Sequence, residues 1–189
     1  MKRFALLIIC LSLIISLAGC GSDTASVADQ SKPVDSSKVS TPAPAPFDFT
    51  TADPTKENIT KAISKVIPQE QITSLTVAAG VVTIHYNPGE SLSADMFYLT
   101  SAVTDTNAFE ILYSNPKIGK SIIWTQGKLT DAKGNDTVID LMQVTLLRDN
   151  EKDINWKGLK DLVMANPDKL FAISDDAYIH PAISKGLSK

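Results

Sequence analysis

Between Gly21 and Pro46 the chain reads GSDTASVADQSKPVDSSKVSTPAPAP, and this stretch confines folding to the residues beyond Pro46. Its 26 residues include six Ser, two Thr, four Ala and four Pro, and its only large aliphatics are Val27, Val34 and Val39. Such a segment buries too little apolar area to offset the entropy of ordering a chain, so it is expected to stay disordered. As a flexible coil it reaches about 28 Å, and in full polyproline extension about 80 Å. The Thr41–Pro46 run alternates Pro and Ala and is the stiffest part, a common spacer composition; a Pro-rich docking motif is the sharper alternative. The folded part is therefore expected to run from Phe47 to Lys189, roughly 140 residues and the size of one ordinary domain.

Within it, hydrophobic period separates helices from strands. Asp53-Pro54 predicts a helix start, and Ile59, Ala62, Ile63, Val66 and Ile67 form one apolar face that Pro68 closes. Ile72 to Tyr86 is rich in Val, Ile and Thr. It reads as two strands about Ala79-Gly80, with one long bent strand as the alternative. Ser93 caps a predicted second helix to about Tyr113, with Met96, Leu99, Val103 and Tyr113 as its stripe, flanked by Ala102 and Phe109. Thr106 and Glu110 interrupt that stripe, which predicts either a break near Asp105 or a rim position for Glu110. Ser121–Gly127 and Thr137–Arg148 form a predicted hairpin about a loop dense in turn formers, Thr130 to Asp136. In its second strand Val138, Met142, Val144 and Leu146 occupy one face and Ile139, Leu141 and Leu147 the other, which suits a central strand. Asn155–Ala165 reads as a third helix, and Leu170–Ile173 as a short further turn. The tail from Asp175 to Ile183 reads as irregular chain that packs down. The order α-ββ-α-ββ-α predicts an α+β fold, a two-layer sandwich with an antiparallel sheet covered by helices.

The first twenty residues carry an address. Met1-Lys2-Arg3 is basic, Phe4 to Leu17 is apolar apart from Ser12 and Ser16, and Leu17-Ala18-Gly19-Cys20 ends in small residues before a cysteine. These are the parts of a secretory signal. The apolar run is short for a membrane span, which takes about 20 residues. Leu17-Ala18-Gly19-Cys20 resembles the lipobox of bacterial lipoproteins. The resemblance implies cleavage before Cys20, a diacylglycerol on its thiol, and a domain held at the outer side of the cell membrane. If the host has two membranes, Gly21 after the cysteine implies the outer one. The layout as a whole resembles small extracytoplasmic lipoproteins of Gram-positive bacteria. The expected organisation is a signal peptide over 1–19, a lipidated Cys20 and stalk over 20–46, and one domain over 47–189.

Composition limits what such a domain can do. The net charge is −3, and loss of Lys2 and Arg3 with the signal lowers it by two more units. A mildly acidic chain with scattered lysines carries no footprint for nucleic acid and no polybasic patch for lipid headgroups. Its two cysteines are Cys10 and Cys20. Neither remains as a free thiol after processing, so no disulfide and no cysteine metal site is expected. His85 and His180 are far apart in sequence and form no zinc motif. His85 reads as a half-exposed strand residue. No phosphate loop or dinucleotide fingerprint implies a cofactor.

Asp175, Asp176, Tyr178 and His180 form the densest polar cluster and are the candidate ligand-site residues. A hydrolase would use His180 as base, oriented by Asp175 or Asp176. No Gly-x-Ser-x-Gly elbow supplies its nucleophile, and an acid pair capping a helix beside a His-Pro turn explains the cluster as well. Asp131, Asn135 and Asp136 lack the ligand spacing of a calcium loop and read as turn residues. Trp124, Trp156, Tyr98 and Tyr113 line either a sugar- or peptide-binding surface or the core. The expected function is a tethered binding or accessory module for an envelope protein, peptide or wall component. A small envelope hydrolase and a purely structural lipoprotein are the alternatives.

Overall fold

The computed structural model describes residues 46–89 and 93–187. The signal, the lipobox with Cys20 and nearly all of the stalk lie outside the described residues. The first helix, α1 (Lys56–Ile63), is capped by Thr55, whose Oγ accepts from the Asn58 N–H at 3.2 Å. The expected cap, Asp53, instead meets Lys117 Nζ at 2.6 Å. Regular helix ends at Ile63, but the N–H groups of Val66 and Ile67 still bond to the Ile63 carbonyl at 2.8 and 2.9 Å. The apolar face of Ile59, Ile63 and Ile67 therefore stays buried.

β1 (Ile72–Ala78) and β2 (Val81–Tyr86) pair antiparallel as the predicted hairpin. Its turn holds Ala79 and Gly80 at φ 49° and 76°, the left-handed pair that matches strand twist. The 20-residue α2 (Ala94–Tyr113) comes next, with Ser93 Oγ accepting from the Met96 N–H at 3.2 Å. It leads to the hairpin of β3 (Lys120–Thr130) and β4 (Asp136–Leu147). After the single turn α3 (Arg148–Glu151) come α4 (Trp156–Ala165), α5 (Asp168–Ile173), β5 (Asp176–Ile179) and α6 (Pro181–Leu187).

The fold is α+β, with strand order β1-β2-β3-β4-β5 in one open sheet. The sheet is mixed, which corrects the all-antiparallel expectation: β2 pairs parallel with β3. Both expected hairpins form. The helix between them brings the chain back to the end from which β2 set out, so the next strand runs the same way as its neighbour. The tail also differs. Asp176–Ile179 pairs antiparallel with β4 although its acidic start disfavours strand, because a ladder partner overrides weak local propensity.

All helices with buried residues join the same layer. Ile59 and Ile63 of α1, Phe109 and Leu112 of α2, Leu159 and Val163 of α4 and Leu170 of α5 share one core with Val82, Ile84, Ile123, Val144 and Leu146. Ile183 of α6 packs with Phe97, Tyr98, Leu141 and Met142. Arg148 closes the C-terminal end of α2. Its Nε donates to the Ile118 carbonyl at 2.8 Å and its Nη1 to the Tyr113 carbonyl at 3.0 Å.

α2 does not break at Asp105. Asp105 and Thr106 are fully buried, and Glu110 takes the rim position, paired with Lys160 of α4. The buried residues of α2 include Phe97, Ser101, Ala102, Phe109, Leu112 and, from the expected stripe, Tyr113, whereas Met96 of that stripe is 46% exposed. Asp105 reaches both strands of the parallel pair: Tyr86 OH donates to its Oδ1 at 2.9 Å, and Thr125 Oγ1 lies 3.4 Å from its Oδ2. Burial lifts its carboxyl to about 8, against the lowering by Tyr86 and Thr125. The folded chain thus holds a proton that the unfolded chain releases above about 4, so this group's stabilisation fades as pH rises through 8. Asp105→Asn keeps an acceptor for Tyr86 and a donor for Thr125 but carries no titrating proton. Urea unfolding between pH 5 and 8 should show wild type losing stability relative to Asp105→Asn by about 1 kcal/mol or more. Parallel curves for the two proteins would refute a neutral buried acid.

Candidate functional site

The strand period puts a second set of side chains on the other face of the sheet. Ser74, His85, Trp124, Gln143 and Tyr178 are register partners in a row across all five strands. Thr76, Thr83, Ile122, Thr145 and Asp176 form the next row. Neither Trp124 nor Ile122 belongs to the hydrophobic core, and the helices' buried side chains all lie on the opposite side. This outer face is amphipathic: aromatic rings stand among hydroxyls and amides.

One irregularity completes it. The register of β3 and β4 shifts between Thr125 and Gln126, which pair with Met142 and Asp140, leaving Leu141 as the extra residue of a bulge. Without the bulge Asp140 and Gln143, three residues apart, would point to opposite faces. With it, Asp140 joins the outer face and Leu141 turns inward to 2% exposure. Gly127 makes room for it, since a Cβ there would come within 2.4 Å of Leu141 Cδ1.

The result is a run of linked side chains that holds His85 in place. Asp140 Oδ1 accepts from Gln126 Nε2 at 2.8 Å and lies 3.3 Å from His85 Nδ1. Thr73 Oγ1 sits 2.7 Å from Gln126 Oε1 and 3.1 Å from the His85 carbonyl, with one proton for the two. The His85 ring is nearly parallel to the Trp124 indole, with centroids 5.7 Å apart and planes 9° apart. Tyr178 stands 6.4 Å further on, tilted by 50°, and is 40% exposed. Side-chain exposure is 27% for His85 and 37% for Asp140, so a ligand can reach both.

Of the four candidate residues read from the sequence, only part of the cluster meets this surface. Tyr178 and Asp176 lie on it, and the His180 ring stands edge-on to Tyr178 with centroids 6.4 Å apart. Asp175 instead anchors the end of β4: its Oδ2 accepts from the Leu147 N–H at 2.7 Å and its Oδ1 from Asn150 Nδ2. His180 Nδ1 accepts from the Ala182 N–H at 3.1 Å at the start of α6. Extended chain separates His180 from Asp175 by about 16 Å and from Asp176 by about 13 Å, so neither forms an acid–base pair with it. The hairpin loop behaves as turn chemistry. Asp131 Oδ1 accepts from the N–H groups of Lys133 and Asn135, each at 2.8 Å, and the Asn135 side chain helps hold its carboxyl below the usual range. No group of three His, Cys, Asp or Glu is placed to hold a metal ion among the described residues.

The aromatics divide. Tyr98 and Tyr113 are buried core residues, Trp156 packs partly buried against the core, and Trp124 faces outward. Sequence reasoning placed His85 correctly as half-exposed but missed Gln126 and Asp140. The outward alternation of Trp124 and Gln126 was a usable signal; Asp140 depends on a bulge with no local signature. A separate concavity of about 440 Å³ opens between α2, α6 and the far part of the β3–β4 hairpin, lined by Phe97, Gly127, Leu129, Leu141 and Ile183. Its walls are largely apolar, and Lys128 at its rim is 3.3 Å from Asp136.

No family model matches this chain, and neither a curated protein nor a solved structure matches it.

The Asp140 contact sets the tautomer of His85. With Nδ1 donating to the carboxylate, the proton of the neutral ring sits on Nδ1 and leaves Nε2 as an acceptor. Nitrogen NMR above pH 8 should report an Nδ1–H ring in wild type and a shift toward Nε2–H in Asp140→Ala. An Nε2–H ring in both would mean that Asp140 does not orient His85.

Proposed function

We propose that this chain is a lipid-anchored extracytoplasmic lipoprotein. It acts as a binding or accessory module for an envelope protein, peptide or wall component, and its binding surface is the outer face of the sheet. The anchor rests on the basic, apolar and small-residue parts that end at Cys20. No helix among the described residues is long and apolar enough to cross a membrane. The surface rests on one observation: His85, Trp124 and Tyr178 stand in a cross-strand row, half-exposed, on the side away from every buried helix face. Cross-strand aromatic pairs add about 0.2–1 kcal/mol each to a sheet, but that alone does not call for an oriented histidine left within reach of solvent beside them, which a binding surface uses.

A hydrolytic reading would shift from Asp175 and His180 to the His85–Asp140 pair, with Ser74 opposite His85 in the register. Binding is favoured over it because the backbone N–H groups beneath a sheet face are spent in the ladder. None is left beside His85 on the paired strand β2 to stabilise an oxyanion.

Cell fractionation tests both parts. Wild type should take up a clickable palmitate and Cys20→Ala should not; unlabelled wild type would remove the anchor. Wild type should also co-sediment with detergent-stripped cell envelopes, and Trp124→Ala with an unchanged melting temperature should fall at least about fivefold in retention. Equal retention of the two would remove the outer face as the binding surface.

A further inference from the structure

We infer that the outer face binds an uncharged polysaccharide, which lies across the strands along the Ser74–His85–Trp124–Gln143–Tyr178 row. This rests on the proposed binding role and names the chemistry of its ligand. The first argument is charge. The carboxylate at the centre, Asp140, already accepts from Gln126 and faces His85. The polar groups that solvent reaches in these rows, Ser74, Thr76 and Thr83, are neutral donors and acceptors, whereas Gln143 and Thr145 are buried and bond to each other. Two cations share this face of β3, Lys120 and Lys128, each four residues and about 13 Å from Trp124, and Lys128 already meets Asp136 at 3.3 Å. Asp176 lies at the β5 edge, in the row next to Tyr178. An anionic polymer finds little counter-charge at the aromatics and a cationic one finds a carboxylate that is already satisfied, whereas a neutral polyol meets hydroxyls and amides.

The second argument is the backbone. A peptide is held by a sheet through strand addition at an edge, where N–H and C=O groups are free. Laid on a face, it would strand its own amides against side chains, at a cost for each one left unmatched. Sugar hydroxyls have no such obligation: each can bond to a side chain and keep water on its other side. The third argument is shape. Apolar C–H faces of sugar rings pack on aromatic rings, whose negative π faces attract the C–H dipoles; Tyr178, 40% exposed, offers the most open ring, while one face of Trp124 is already taken by His85. Five strands give a row about 19 Å long, room for several sugar units.

The test titrates the full-length protein in detergent with three neutral tetrasaccharides: fully N-acetylated chitotetraose, cellotetraose and mannotetraose. Binding is followed by calorimetry and by tryptophan emission. At least one should bind with Kd below about 1 mM. Trp124→Ala and Tyr178→Ala should each weaken it about tenfold or more, and Trp156→Phe should leave it unchanged. If Trp124→Ala loses cooperative unfolding, Tyr178→Ala at the exposed β5 edge carries the test. If none of the three sugars binds while envelope retention still depends on Trp124, the polysaccharide inference falls and the binding surface stands. Sugar binding that ignores both aromatic substitutions overturns the assignment to this face. If no sugar binds and retention is also independent of Trp124, both readings fall.

Discussion

The contact of Asp105 with Tyr86 and Thr125 is the point on which this fold turns. No hairpin joins β2 to β3, and their parallel pairing depends on the helix that crosses between them. Asp105 fixes that helix over both strands at once, through Tyr86 of β2 and Thr125 of β3. An apolar side chain would bury as much area without selecting one position along the strands. A hydrogen-bonded acid selects it, because any slip leaves three polar groups unmatched in the interior. The other helices then assemble on α2: Lys160 of α4 reaches Glu110, and Asp168 of α5 accepts from Tyr98 OH at 2.7 Å.

Once the helices are gathered on one side, the sheet has two faces with different chemistry. The inner one is filled by Val82, Ile84, Ile123, Val144 and Leu146, and it supplies the stability. The outer one is free to carry His85, Trp124, Asp140 and Tyr178, whose burial the fold does not require. The bulge at Leu141 serves both faces. It sends a leucine into the inner layer beside Phe97 and releases Asp140 to orient a histidine on the outer one.

Much of the fold could be read from hydrophobic period and turn residues. Ala79-Gly80 marks the first hairpin, Ser93 caps the helix it is expected to cap, and β4 is a central strand. The parallel pair was not legible, because strand direction depends on how α2 packs and not on any local pattern. The stripe of α2 holds at Val103 and Tyr113 but not at Met96, which faces solvent, and it omits the polar part of the buried side, for a related reason. Ser101, Asp105 and Thr106 occupy its core side, and a polar residue satisfied by a distant Tyr or Thr looks in sequence like a solvent-facing one. The site suffered most. Trp124 and His85 alternate outward as a strand face should, but Asp140 reaches them only through the bulge. The conspicuous Asp175–His180 cluster proved to be largely turn and cap chemistry spread along an extended strand.

The central claim is that the outer face of the sheet, and not the helical layer, meets the ligand. Photo-cross-linking in living cells tests it most directly, with a benzophenone side chain placed either at Thr83 on the outer face or at Leu162, 54% exposed on α4. Adducts from position 83 and none from position 162 are expected. Adducts from position 162 alone, or equally from both, would contradict the account.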